Sequence, residues 1–266
     1  MFYEMVGYCA DPSQSCSPDL PEVDVESAAL FLDFDGTLIE LADTPDSIEV
    51  PDRLGPDLMR LRELLGGRLA IVTGRPVADI ERFLPDWTGV VIGSHGAERR
   101  IDGKLSSHER AGTETIEHLQ GIVRAYAKSV EGFLAEDKPV GAVLHYRNAS
   151  DRQAEAYRFI EGLLPSFPGL ELHRSKGAFE VRPDDVGKGQ ALEALMKLEP
   201  FAGATPIMIG DDMTDEPAFI VAQKAGGIGI KVGTEDTNAA HRVQSVDEVH
   251  HFLGTFADDT AEEEAA

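Results

Sequence analysis

Leu30-Phe31-Leu32-Asp33-Phe34-Asp35-Gly36-Thr37 is the stretch from which the rest of the chain is read. An apolar run that begins at Ala28 stops at Leu32 and gives way to two carboxylates one residue apart, then to Gly-Thr. A short run without polar residues suits a strand buried on both faces, as in parallel sheets. In open α/β sheets, ligands and catalytic groups collect just beyond the carboxyl ends of such strands. Asp33 and Asp35 are predicted to sit there. In an extended chain, residues i and i+2 point to one side, so both carboxylates are expected to face one point. Two close carboxylates repel unless a proton or cation lies between them. Mg²⁺ is the expected cation, because it takes hard oxygen ligands and few of them from protein. The plainer reading of the same residues is an Asp-Gly turn with solvated acids.

Outward from this stretch the theme repeats. Leu54, Leu58, Leu61 and Leu65 stand at helical spacing between Pro51 and Gly66-Gly67, which predicts a helix over 51–65. Residues 69–72 form a second apolar strand pattern, ending in Thr73-Gly74-Arg75-Pro76. A short helix over 76–83 leads to a third strand at 90–92, ending in Gly93-Ser94-His95-Gly96. Strands alternating with helices predict a parallel sheet built from βαβ units.

The rhythm changes after about Ile101. A helix is expected over 113–130, a strand pair at 133–136 and 140–147, a helix at 151–164, and strands at 170–173 and 178–182. This order predicts a separate α+β unit with an antiparallel sheet. The first rhythm returns with Gly187-Lys188-Gly189 before a helix reaching about Leu198. A strand at 206–209 then ends in Gly210-Asp211-Asp212-Met213-Thr214-Asp215. A helix at 216–224, a strand at 228–232 and a last helix at 246–253 complete the pattern. The expected division is a core of 26–103 with 184–254, an inserted unit of 104–183, a loose extension over 1–25 and a frayed acidic tail over 255–266.

The composition excludes several classes. With 24 basic and 48 acidic residues, the net charge is −24. Such a chain is not drawn to nucleic acid or to anionic membrane by general electrostatics. No apolar run approaches the ~20 residues of a membrane span. The first residues lack a basic start followed by an apolar stretch, so no secretory signal is expected. Cys9 and Cys16 are the only cysteines, which suits a reducing compartment. A cytoplasmic location is therefore expected. The sequence points to no protein partner.

Three apolar strands thus end in chemistry, at Asp33/Asp35, Thr73 and Asp211/Asp212, and Lys188 opens a helix among them. Each has an ordinary explanation alone: Thr caps helices, Lys between glycines is solvated, and an Asp pair steadies a helix start. Phosphoryl transfer calls for all of them together. Mg²⁺ takes two or three oxygens from Asp33, Asp35 and Asp211. The phosphate needs donors, here the Thr73 hydroxyl, the Lys188 ammonium and backbone N–H groups. One carboxylate can act as nucleophile, and a second can protonate the leaving alkoxide and then deprotonate the water.

The stretches Asp33-Phe34-Asp35-Gly36-Thr37, Thr73-Gly74-Arg75, Lys188 and Gly210-Asp211-Asp212 resemble the four motifs of the haloacid dehalogenase phosphatase superfamily. Gly93 to Arg99, Leu144-His145-Tyr146-Arg147, Lys176 to Pro183 and Gly210 to Glu216 are similar to the trehalose-6-phosphate phosphatase family in particular. The resemblance implies a Rossmann-like core with an inserted cap between the second and third motifs. It implies Asp33 as nucleophile, Asp35 as general acid/base, and Thr73 and Lys188 as phosphate ligands. It implies Mg²⁺ held by the Asp33 carboxylate, the Asp35 carbonyl and the Asp211 carboxylate, with Asp212 and Asp215 outside them. The substrate implied is trehalose 6-phosphate, hydrolysed in trehalose biosynthesis. A related capped phosphatase acting on sucrose phosphate or glucosylglycerol phosphate is the alternative within the superfamily. A phosphorylatable receiver module is the alternative outside it, and the insert together with Asp35 speaks against that. The sugar is expected to be read in the cap by Lys138, by His145 and Arg147 at i and i+2, and by Lys176 with Glu180.

Overall fold

The structure, a computed structural model, describes residue 20 and residues 23–42, 47–175 and 177–263, with side chains as far as 256. Most of the expected N-terminal extension, both cysteines and Lys176 lie outside the described residues.

The central strand is β1 (Ala28–Leu32), buried along its whole length. It lies between β10 (Thr205–Gly210) and β2 (Leu69–Val72), parallel to both. Beyond β10 come β11 (Ile228–Val232) and β12 (His241–Val243), also parallel. Beyond β2 come β3 (Val90–Gly93), parallel, then β4 (Glu98–Ile101) and β5 (Lys104–Ser107), both antiparallel. The eight-stranded order is β12-β11-β10-β1-β2-β3-β4-β5.

Alternation along β1 builds two cores. Ala28, Leu30 and Leu32 join one apolar cluster, while Ala29 and Phe31 join the other. The first face is covered by α1 (Leu54–Leu64), α2 (Val77–Phe83) and α7 (Val246–Glu263), through Leu58, Leu61, Ile80, Val249 and Phe252. The second is covered by α5 (Lys188–Leu195) and α6 (Glu216–Lys224), through Leu192, Leu195 and Phe219. A strand covered on both faces has no polar side to spare, which is why it reads as an unbroken apolar run.

Between β5 and α5 stands a second unit with its own core. Its sheet, ordered β6-β7-β9-β8, is made from β6 (Leu134–Lys138), β7 (Gly141–His145), β9 (Ala178–Pro183) and β8 (Leu170–Ser175), all antiparallel. One face carries Ala142, Leu144, Phe179 and Val181 against α3 (Glu114–Ser129) and α4 (Gln153–Leu163). The opposite face is polar. Registers Glu136↔Val143, Val143↔Glu180 and His173↔Glu180 align four residues across it.

The structure corrects the sequence reading at several places. β5 pairs with β4, so residues 104–107 extend the large sheet and do not open the insert. Their alternation is weak because all four side chains are exposed at the sheet edge. β12 was not expected, being three residues long and too short to show a period. β7 stops at His145, and Arg147 begins a 3₁₀ turn running to Arg152. The residues at 255–263, expected to fray, continue the backbone of α7 as far as Glu263. Gly254 and the acidic composition concealed that extension. Among the described residues, no helix is long and apolar enough to cross a membrane.

Phe31 is fully buried and its ring lies 5.4 Å from that of Phe201. Truncating such a residue removes its transfer free energy and leaves a cavity, at about 3–5 kcal/mol. Phe31→Ala is therefore expected to lower the unfolding free energy in denaturant titrations by that amount. A loss below about 1 kcal/mol would contradict a tightly packed second face.

Candidate active site

The site lies where β10, β1 and β2 end side by side. The Asp33 N–H donates to the Ile209 carbonyl (3.0 Å), and the Thr73 N–H to that of Ile92 (2.8 Å). These bonds carry the strand pairing one residue past each strand and fix the first side chain of each loop.

Lys188, the first residue of α5, reaches into this end of the sheet. Its Nζ donates to Asp33 Oδ1 and to Asp215 Oδ1, each at 2.7 Å. All three groups are buried. Asp215 Oδ2 accepts the Asp212 N–H at 3.0 Å, so both its oxygens are engaged. Burial pulls the Lys188 ammonium toward neutrality, but Asp215 and Asp33 beside it outweigh this and raise its pKa. It stays charged. Burial, then the charge of Asp215, pushes the Asp33 carboxyl well above the ordinary value despite Lys188. Asp211 is raised to about 6, first by burial, then by Asp215 and Asp212. Carboxylate oxygens of Asp33, Asp211 and Asp215 all lie within 4.8 Å of one another.

Gly36 makes the approach of Asp211 possible. It has φ +74°, and a Cβ there would stand 2.3 Å from Asp211 Oδ2. No L side chain fits that position.

Asp35 does not face the point that Asp33 faces. Its Oδ2 accepts from Arg75 Nε (2.7 Å) and its Oδ1 from Arg75 Nη2 (2.6 Å). The expectation that both carboxylates share a direction assumed an extended chain, but β1 stops at Leu32 and the backbone turns after it. Arg75 also lies over the Phe83 ring, 5.1 Å from its centroid. Thr73 is buried, and its Oγ1 accepts the Arg75 N–H at 3.1 Å, which leaves its hydroxyl proton to donate elsewhere. Asp212 contributes its N–H, while its side chain is exposed.

The polar face of the cap sheet is directed at this end of the core. His95 reports it. Its imidazole is held down to about 3, first by burial, then by Lys188 from the core and by Lys138 and Arg182 from the cap. It is neutral. Its ring stands against Gly74, where a Cβ would lie 2.6 Å from Cε1. Ser94 and His95 both take left-handed φ values, +48° and +56°. The turn is fastened by Ser94 N–H to Arg75 O (2.7 Å) and His95 N–H to Thr73 O (2.9 Å).

On the cap, Glu136 ties two of the expected residues together, accepting from Lys138 Nζ (2.5 Å) and lying 2.8 Å from His145 Nε2. The His145 bond, against the cost of burial, helps hold Glu136 down to about 2. Glu180 lies across Val143 from Glu136, its carboxyl raised by burial. Arg182 Nε is 3.6 Å from Glu180 Oε2, and Arg182 Nη2 is 3.2 Å from His173 Nδ1. Arg147 lies off the strand against Gly177, its Cβ 3.0 Å from where a Gly177 Cβ would stand.

The structure thus brings Asp33, Lys188, Asp211 and Asp215 into one cluster, with Thr73 on the adjoining strand end. It sets Lys138, His145 and Glu180 on the facing cap surface. Arg75, His95, Glu136, Arg182 and His173 were given no role from sequence. Glu136 was legible in principle, since it precedes Lys138 by two and shares its face; Arg75 and His95 were quoted within motifs whose glycines and histidine carry no chemistry by spacing alone.

A profile of the family described as trehalose-phosphatase matches residues 31–248. A probable trehalose-phosphate phosphatase of Sinorhizobium fredii (strain NBRC 101917 / NGR234) is 41% identical over 212 residues, covering 79% of each chain. The trehalose-6-phosphate phosphatase of Escherichia coli (strain K12) is 32% identical over 239 residues, covering 88% of each. A solved structure of a trehalose-6-phosphate phosphatase related protein superposes with a TM-score of 0.66 at 27% identity, covering 88% of this chain and 99% of the other. On a match that spans all three strand-end motifs and the inserted sheet, the chain belongs to the trehalose-phosphatase family.

Proposed function

We propose that the chain hydrolyses trehalose 6-phosphate to trehalose and inorganic phosphate, with Asp33 as nucleophile. The observation that carries this reading is the buried Lys188 ammonium, bonded at 2.7 Å to Asp33 and Asp215 beneath a polar cap face. Two of its three N–H donors are engaged, and the third remains for a phosphate oxygen. The Thr73 hydroxyl proton is a second donor. The family relatives at 41% and 32% identity bear names of this activity.

The Asp33 oxygen that Lys188 does not hold attacks phosphorus, and the bond from phosphorus to the sugar oxygen breaks. Asp35 gives its proton to that oxygen, freeing trehalose and leaving an aspartyl phosphate. Asp35 then takes a proton from water as the water attacks phosphorus, and Asp33 is released with phosphate. For Asp35 to carry a proton, Arg75 has to give up at least one of the two oxygens it now binds. The sugar is read by Lys138, His145 and Glu180, with Arg147 and Lys176 named by the family resemblance. Trehalose has many hydroxyls and no charge, so a row of polar side chains on a rigid sheet suits it.

The acidic cluster fits a divalent cation. One lysine does not balance Asp33, Asp211 and Asp215; burial first, and then the neighbouring acids, raise the Asp33 and Asp211 carboxyls. Hard carboxylate oxygens in a small number suit Mg²⁺. By the family resemblance, Asp33, Asp211 and the Asp35 carbonyl would hold it, while Asp215 gives its oxygens to Lys188 and the Asp212 N–H. Bound there, Mg²⁺ supplies positive charge against the phosphate dianion and the charge that develops in its transfer. A cytoplasmic location suits a substrate whose phosphate keeps it from crossing membranes unaided.

A phosphate-release panel tests the reading. Trehalose 6-phosphate is expected to be hydrolysed faster than sucrose 6-phosphate or glucose 6-phosphate, and only with Mg²⁺. Asp33→Asn, checked by circular dichroism for an intact fold, is expected to lose at least about a thousandfold in rate. Full activity after thorough chelation would end the metal claim. Glu180→Ala leaves sugar hydroxyls desolvated at about 1–3 kcal/mol each, and is expected to cut kcat/KM roughly ten- to a few hundred-fold. Hydrolysis of a small aryl phosphate should hold nearly steady; equal losses on both substrates would move Glu180 out of sugar reading.

Metal-free stability carries its own signature. Asp211 keeps its proton to about pH 6 in the folded chain, against an ordinary value of 3.8. The folded state therefore binds more protons between these values, and stability is lost as pH rises through about 6. Asp211→Asn mimics the protonated form. Without metal its Tm should match wild type near pH 4 and exceed it near pH 7, roughly spanning the window. Mg²⁺ should reverse the order at pH 7 by binding wild type alone. A Tm difference independent of pH would show that Asp211 is not raised.

A further inference from the structure

Lys231 is a buried lysine that the mechanism does not use. It sits on β11 in register with Gly210, the residue just before Asp211. Its neighbours Ile230 and Val232 face the apolar cluster of the first core, so alternation turns Lys231 toward the other side of the sheet. There its Nζ donates to the Asp211 backbone carbonyl. Its ion-pair partner among the described residues is Glu235, at 3.9 Å on an exposed side chain. Burying an ammonium is costly unless it is closely paired. Glu235 is a weak partner, so the Asp211 carbonyl is the contact that the position serves.

That carbonyl belongs to the same planar peptide as the Asp212 N–H. The N–H donates to Asp215 Oδ2 at 3.0 Å. The Asp211–Asp212 peptide is therefore held from both sides, by a cation on its oxygen and an anion on its nitrogen. The charges match the peptide dipole. Asp215 in turn binds Lys188, which binds Asp33. A continuous chain of contacts runs from Lys231 through one peptide bond to the nucleophile.

We propose that Lys231 is a positioning residue for divalent-cation binding: by clamping the Asp211–Asp212 peptide it fixes the direction in which Asp211 presents its carboxylate. This rests on the reading of Asp33 and Asp211 as cation ligands given above. In that direction the Asp211 carboxylate lies against Gly36, in space that a Cβ there would fill. Freeing the peptide would let the side chain leave that direction while Lys188, Thr73 and the cap stay in place.

The test compares Lys231→Met, Lys231→Gln and Lys231→Arg in the full chain. Mg²⁺ binding is measured directly by isothermal titration calorimetry, and the Mg²⁺ dependence of phosphate release is measured beside it. Lys231→Met is expected to weaken Mg²⁺ binding by roughly tenfold or more. Its kcat at saturating Mg²⁺ should stay within about threefold of wild type, and KM for the sugar phosphate should not move. Lys231→Gln keeps a neutral donor and should fall between; Lys231→Arg keeps the charge and should recover part of the affinity. If Lys231→Met does not fold, the order of wild type, Lys231→Arg and Lys231→Gln carries the same comparison. Wild-type Mg²⁺ affinity in both folded neutral variants, or in Lys231→Gln when it alone folds, would overturn the role of Lys231 and leave the metal reading intact. No Mg²⁺ binding by the wild type would instead overturn the metal reading and the Lys231 role with it. A loss of kcat at unchanged Mg²⁺ affinity would show that Lys231 serves the chemistry in another way and would also overturn the proposal.

Discussion

One buried ammonium holds this site together. Lys188 bonds Asp33 and Asp215 at 2.7 Å each, in surroundings closed to water. Two carboxylates and a third, Asp211, could not be packed at one end of a sheet without it. One lysine faces three acids, and burial together with the neighbouring carboxylates raises Asp33 and Asp211 despite it. The site gathers carboxylate oxygens of Asp33, Asp211 and Asp215 within 4.8 Å of one another, a set that could hold a cation.

The second constraint is the facing of two surfaces with different jobs. The core end carries acids and a lysine; the cap sheet carries a mixed row of acids, bases and imidazoles. The cap row is internally paired, Glu136 with Lys138 and His145, Arg182 with Glu180 and His173. Pairing keeps long side chains in fixed places. Four buried polar atoms, Arg182 Nε and Nη1, His173 Nε2 and His95 Nδ1, have no hydrogen-bond partner within the described residues.

The strand-end residues were legible because they interrupt apolar runs. Ala28 to Leu32, Leu69 to Val72 and Thr205 to Gly210 are covered on both faces, so any polar residue after them stands out. Lys188 and Asp215 were legible as types and positions, but their 2.7 Å contact spans 27 residues of sequence and no local pattern encodes it. Asp35 was placed by a rule for extended chain, and the chain turns there. Arg75 decides where Asp35 points, through a guanidinium whose reach sequence spacing does not describe. β5 and β12 escaped notice because edge strands that are exposed or only three residues long have no period to read. The continuation of α7 beyond Leu253 was hidden for the opposite reason, since acidic and alanine-rich composition suits a solvated helix as well as a tail.

The position of β1 has a consequence for the order in which the protein is made. One edge of β1 pairs with β2, about 40 residues later, while the other pairs with β10, whose residues leave the ribosome only after the whole cap. Until then this wholly apolar strand has one open row of backbone donors and acceptors, the feature that invites pairing with a foreign chain. The cap sheet and its two helices share one core drawn from an unbroken length of chain, and so can close during that interval. Asp33 meets Lys188 only once α5 has emerged, so a nascent chain that stops short of it has neither a closed sheet nor the Asp33–Lys188 pair. For this fold, becoming safe from aggregation and becoming able to hold phosphate depend on the same late-arriving segment.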